Sequence, residues 1–287
     1  MPTAPLQQSL AVFEIALLLV GVVLAFRLAR SPDRRARWLG PGRMASWQIN
    51  LPEFGLYLLL IITGGVIGQS AVRGLLGNAI ARAHDRSGWE VFAYGAGIHG
   101  GALLGWLLFP FFRRRFYSDY GTIPAPEVPA PALPGRNILY CAAGTLLLAQ
   151  PLLLLLSLGW TFLLRKLGLP DEPQELIAIF ANTQSPFAIA GMLLVACVLA
   201  PLNEELIFRA GLYRFCRQKL GRPAALLLSG GLFGALHLNL AGFLPLALLG
   251  ILLALAYDAT GDIRVSVVAH GLFNFNTILV ILSGLQQ

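Results

Sequence analysis

Asn203-Glu204-Glu205-Leu206-Ile207-Phe208-Arg209 sets two adjacent carboxylates and a guanidinium just after an almost unbroken apolar run from Phe187 through Ala200. Ionisable side chains at membrane depth are costly and by default mark a functional site. On a helix, Glu205 and Arg209 stand at i and i+4 on one face, with the carboxylate on the N-terminal side, the favourable order for such a pair. Glu204 points about 100° away from Glu205. The doublet therefore divides: Glu205 can be neutralised by Arg209, and Glu204 is left for other work. A structural alternative uses the same residues, because a buried ion-pair cluster that only fixes helix packing also perturbs charged groups.

Two later apolar segments carry polar side chains as well. Phe233-Gly234-Ala235-Leu236-His237 places an imidazole in one, and His270-Gly271-Leu272-Phe273-Asn274 places an imidazole and an amide one turn apart, on one face, in another. A carboxylate beside an imidazole can hold and deprotonate water, and an imidazole plus an amide N–H can stabilise an oxyanion. The combination suits attack on a peptide carbonyl. Zinc stays open, since Glu204, His237 and His270 would supply a His₂Glu ligand set, although the H-E-x-x-H pattern of zinc proteases is absent. Without G-x-S-x-G, serine chemistry is disfavoured.

The ordered trio E-E-x-x-x-R (Glu204, Glu205, Arg209), F-x-x-x-H (Phe233, His237) and H-x-x-x-N (His270, Asn274) resembles the CPBP family. That family comprises the CAAX prenyl proteases of the Ras-converting type and the bacterial Abi, or bacteriocin-processing and immunity, proteins. The resemblance covers roughly residues 137–287 and leaves the preceding helices unexplained. It implies an intramembrane protease in which Glu204 is the general base on a water also held by His237, while His270 and Asn274 form the oxyanion site. Glu205, Arg209 and Phe233 would support that site. The resemblance favours a glutamate-dependent reaction with no cofactor over a zinc-dependent one.

These residues must be positioned by membrane helices. The 287 residues are 56% hydrophobic and 12% charged, with a mean hydropathy of +0.70, whereas soluble domains carry about 25% charge. The chain reads as an all-α, polytopic bundle of about eight transmembrane helices, in a lipid bilayer. Apolar segments of spanning length fall at 9–28, 52–76, 90–112, 137–164, 187–210, 223–240, 242–258 and 265–283. The first reads as a retained span and not a cleaved signal peptide. Residues 1–117 form a three-helix N-terminal region, 118–136 a Pro/Ala-rich cytoplasmic linker, and 137–287 the domain that carries the chemistry.

The net charge of +7 is a topology signal and not a nucleic-acid footprint. Arginine clusters follow the first, third and fifth spans, and the positive-inside rule makes that side cytoplasmic, with both termini outside. Arg73, Arg82, Arg86, Arg165 and Lys166 fall on the opposite side, a tension that nearby acidic residues do not cancel. Cys141, Cys197 and Cys216 lack disulfide or zinc spacing and read as small core residues. His99, among glycines, reads as an interhelical hydrogen-bonder, and the Gly64-Gly65 and Gly95-x-Gly97 patterns as close-packing sites. Residues 171–180 suggest a short interfacial helix that covers the site from outside.

One count resists convergence. At about 1.5 Å per residue, His237 lies roughly 22 Å beyond Arg222, but His270 only about 9 Å beyond Arg264. The functional expectation is peptide-bond hydrolysis in a peptide or membrane-anchored protein substrate, by a multi-pass protein of a bacterial inner membrane whose site opens to the cytoplasm. The competing class is a non-proteolytic immunity or scaffold protein, or an ion-coupled transporter that uses the buried carboxylates as proton sites.

Overall fold

The computed structural model describes residues 4–39, 42–44, 47–117 and 133–284, and among these every regular element is helical. The helices are α1 (Ala4–Arg30), α2 (Pro32–Leu39), α3 (Leu51–Ile80), α4 (Arg86–Tyr117), α5 (Gly135–Leu167), α6 (Glu175–Asn182), α7 (Pro186–Leu220), α8 (Arg222–Ala235), α9 (Leu240–Thr260) and α10 (Ile263–Ser283). Seven of them, α1, α3, α4, α5, α7, α9 and α10, are long and apolar enough to cross a membrane. The Pro/Ala-rich stretch expected to be a linker lies, over residues 118–132, outside the described residues.

The eighth expected span is shorter than the sequence suggested. α8 has 14 residues, about 21 Å of helix against about 30 Å of hydrocarbon. It ends at Ala235, and the chain reverses at His237-Leu238-Asn239, where the Asn239 side chain accepts from Gly242 N at 2.7 Å and starts α9. An apolar run of 18 residues can thus be a helix plus a turn, because Leu236 and Leu238 are tolerated in a turn that faces lipid. Leu238 has φ 51°, the one non-glycine residue with positive φ among those described, and is 91% exposed.

Polar caps fix where the other helices begin. Asn50 and Glu53 form a reciprocal capping box at α3, with bonds of 2.8 and 2.9 Å. Ser185 caps α7 ahead of Pro186, and Asp262 caps α10. Gly221, at φ 82°, makes the tight reversal from α7 to α8 that a side chain would strain.

Helix contacts are made where side chains are smallest. Gly64 and Gly68 of α3 face Gly97, Gly101 and Gly105 of α4, and a Cβ at Gly101 or Gly105 would run into the opposing backbone. The packing role expected of the glycine pairs holds for Gly64, Gly65, Gly95 and Gly97. A second seam joins α8 to α9 through Gly230, Gly234 and Gly250.

The N-terminal helices are not set apart from the rest. α1 packs on α5 and α10, α4 packs on α7, and Tyr57 of α3 donates its hydroxyl to Leu206 O of α7 at 2.7 Å.

Candidate functional site

α7 is the axis of the site, and it is not a uniform α-helix. Val195–Leu199 and Leu206–Tyr213 are π-helical and flank the α-helical Ala200–Glu205. Such wide turns are uncommon and concentrate at functional sites. Pro201 supplies one cause: it has no N–H, so the carbonyl five residues earlier, on Ala196, has no donor within its own helix. Asn274 of α10 fills that need, donating Nδ2–H to Ala196 O at 2.8 Å. α10 comes this close because residue 271 is glycine, where a Cβ would collide with Cys197 O. Two further α7 carbonyls are likewise taken from outside the helix, Leu206 O by Tyr57 and Phe208 O by Ser229 Oγ at 3.0 Å.

Glu205 and Arg209 are completely buried, 2.9 Å apart, on the face expected from their i, i+4 spacing. Arg209 also donates to Gly250 O at 3.1 Å and lies 4.5 Å from the ring centroid of Phe233. The division of labour within the doublet is finer than expected. Glu205 Oε1 also receives His270 Nδ1 at 2.9 Å, so it holds a second partner besides Arg209. An ionised carboxylate only accepts, so Nδ1 carries the hydrogen. His270 Nε2 is thereby turned towards Glu204 Oε2, 3.6 Å away.

Phe233 is fully buried, with its ring centroid 4.9 Å from His237 and 5.6 Å from His270. His237 Nδ1 stands 2.7 Å from Phe233 O. The imidazole therefore folds back one turn towards the bundle interior. One turn is about 5.4 Å, less than the mismatch obtained by counting along straight spans, yet the Phe233 ring touches both imidazoles and the two line one cavity.

Glu204, His237, His270 and Asn274 line one cavity of about 330 Å³. All four residues expected to do chemistry are thus brought together, and Glu205, Arg209 and Phe233 pack behind them. Two residues complete the wall or hold it. His99 of α4 lines the same cavity, and its backbone carbonyl accepts from Asn203 Nδ2 at 3.1 Å. The sequence reads His99 as an interhelical hydrogen-bonder; the bond to Asn203 is made by its backbone, and one more imidazole in an apolar span gives no sign that its side chain faces the cavity.

The cavity continues past Asn274 to Gln174, Leu176, Ile177 and Phe180. The short helix expected over the site is present as α6, with Phe180 buried against Met192, Ile278 and Ile281. This end of the bundle is opposite the arginine clusters.

Among the described residues, no group of three His, Cys, Asp or Glu side chains is arranged to hold one metal ion. Glu204, His237 and His270 line the same cavity.

Comparison with known proteins locates the resemblance. The family model for Type II CAAX prenyl endopeptidases, Rce1-like, matches residues 186–276. That segment contains all three motifs, from the start of α7 to two residues past Asn274, and leaves α1 to α6 outside it. No curated protein and no solved structure matches the chain.

Proposed function

We propose that the chain, Rce1-like from the start of α7 to beyond Asn274, is an intramembrane endopeptidase acting on a peptide or a membrane-anchored protein. The observation that carries this reading is the single cavity shared by Glu204, His237, His270 and Asn274. In an integral membrane protein with seven helices of spanning length, those side chains have a hydrolytic arrangement.

Glu204 is the general base. Water lying against Glu204 Oε2 gives up a proton to the carboxylate as its oxygen attacks the scissile carbonyl carbon. The Nδ1 of His237 is engaged by Phe233 O, so Nε2 is the nitrogen left to orient that water. Asn274 has one N–H committed to Ala196 O and a second available to the oxyanion. His270, fixed through Nδ1 by Glu205, adds a donor at Nε2 when it is protonated. The Glu204 carboxylic acid then returns its proton to the leaving amine. The placement of Glu205 and Arg209 supports this assignment, because an imidazole held by a buried, charge-compensated carboxylate keeps its orientation through the reaction.

The test is incubation of the purified full chain in detergent with candidate peptides, with and without a chelator, followed by mass spectrometry. Cleavage that persists with chelator is expected. Loss of cleavage with chelator would assign the chemistry to zinc. Ion flux in liposomes that Glu204→Gln removes, with no cleavage product, would favour transport.

A further inference from the structure

We infer that the cavity is served from the extracytoplasmic face of the membrane, so that its substrates are membrane-anchored polypeptides whose scissile bond lies on that side. This rests on the protease reading above and adds the side from which the bond is presented.

The two ends of the bundle differ in charge and in how that charge is used. At one end α1 closes on Arg27 and Arg30, and α4 on Arg114 and Arg115. There Arg222 pairs with Asp258 at 2.8 Å, and Arg264 pairs with Asp262 at 2.6 Å and also donates to Leu133 O at 3.2 Å. Arg217, Lys219 and Arg136 belong to the same end. Basic residues in such excess beside the ends of spans stay in the cytoplasm.

At the other end the cations are fewer: Arg73, Arg82, Arg86, Arg165 and Lys166. Arg165 pairs with Asp171 at 2.6 Å, and Arg86 with Glu90 at 2.9 Å. The Asp85 carboxylate accepts from Ser185 N, and Glu172 O accepts from Asn239 Nδ2 at 3.0 Å. The first ties the start of α7 to the loop between α3 and α4, and the second ties the start of α9 to the loop before α6. The cavity runs from Glu204 and His270 to α6, which is at this less basic end.

The route to the base therefore starts outside and descends past Gln174, and a cytoplasmic C-terminal tail has no such path. A translocated chain with a membrane anchor does: its first residues outside the bilayer reach the cavity under α6.

The experiment uses the full chain with Cys141, Cys197 and Cys216 changed to alanine, carrying one cysteine at either Glu172→Cys or Gln218→Cys. Both sites are exposed, one at each end. Bacterial spheroplasts are treated with a membrane-impermeant maleimide before and after permeabilisation. Glu172→Cys is expected to label in intact spheroplasts, and Gln218→Cys only after permeabilisation. Labelling of Gln218→Cys from outside would overturn the inference. This readout needs no catalysis, so it fails independently of the protease reading. A second arm co-expresses single-span substrates with one cleavable segment outside or inside. Cleavage of the outside version alone is expected, and cleavage of the inside version alone would contradict it.

Discussion

His270 is tied to Glu205: its Nδ1 stands 2.9 Å from Glu205 Oε1, the same oxygen that faces Arg209 NH1 at 2.9 Å. One carboxylate thus compensates a buried guanidinium and orients an imidazole that faces the proposed base. The buried ion pair and the proposed catalytic imidazole thus meet at a single atom.

Breaking that pair will be costly. Glu205→Ala leaves Arg209 fully buried without its counter-charge, and Arg209→Ala leaves Glu205 in the same position. Each change is expected to lower stability by about 3–5 kcal/mol, read as a lower thermal midpoint in detergent. The double change Glu205→Gln with Arg209→Met, which removes both charges, is expected to recover a large part of that loss. If the double variant is no more stable than either single one, the pair is not the source of the cost.

His99 belongs to the part of the cavity wall that lies outside the family-matched segment. It lines the site from α4, outside residues 186–276, while the hydrogen bond that holds Asn203 uses its backbone carbonyl. His99→Ala keeps that carbonyl. It is expected to leave the thermal midpoint near the native value and to lower kcat/KM about tenfold, or about 1.4 kcal/mol. Unchanged kcat/KM would show that this wall is not read by the substrate.

Asp262 gives a pH test of how α10 is anchored. Its side-chain hydrogen bonds with Arg264 are the largest of several effects that together hold its carboxyl below the usual carboxylate range, outweighing the opposing cost of partial burial. A carboxylate depressed in the folded state stabilises the protein above the unfolded pKa of about 3.9, and that stabilisation is lost as pH falls through the folded value. Asp262→Asn keeps the helix cap and removes the charge. The variant should be less stable than the native protein near neutral pH, and the two melting curves should converge below about pH 4. A gap that does not change with pH would assign the effect to the cap.

Much of the site was legible because helical spacing is a strong geometric constraint. The i, i+4 steps from Glu205 to Arg209 and from His270 to Asn274 hold in three dimensions, and so does the separation of Glu204 from Glu205. What spacing along one helix cannot give is contact between helices. The Glu205–His270 bond depends on how α7 and α10 face each other, which is set by Pro201, Gly271 and the π-helical turns. The end of α8 was missed because an apolar residue in a lipid-facing turn looks the same as one in a span. The orientation of His99 was hidden for a related reason: a glycine-rich span packs closely on two neighbours, and its period does not say which face carries the cavity.

The central claim is that Glu204 activates the water that cleaves the peptide bond, and Glu204→Gln tests it most directly. With a peptide that the native protein cleaves, product formation by the purified variant is measured by mass spectrometry, alongside its thermal midpoint. The account predicts a folded protein whose cleavage rate falls by about a hundredfold to ten-thousandfold, the range for a lost general base. Cleavage at the native rate by a folded Glu204→Gln protein would contradict it.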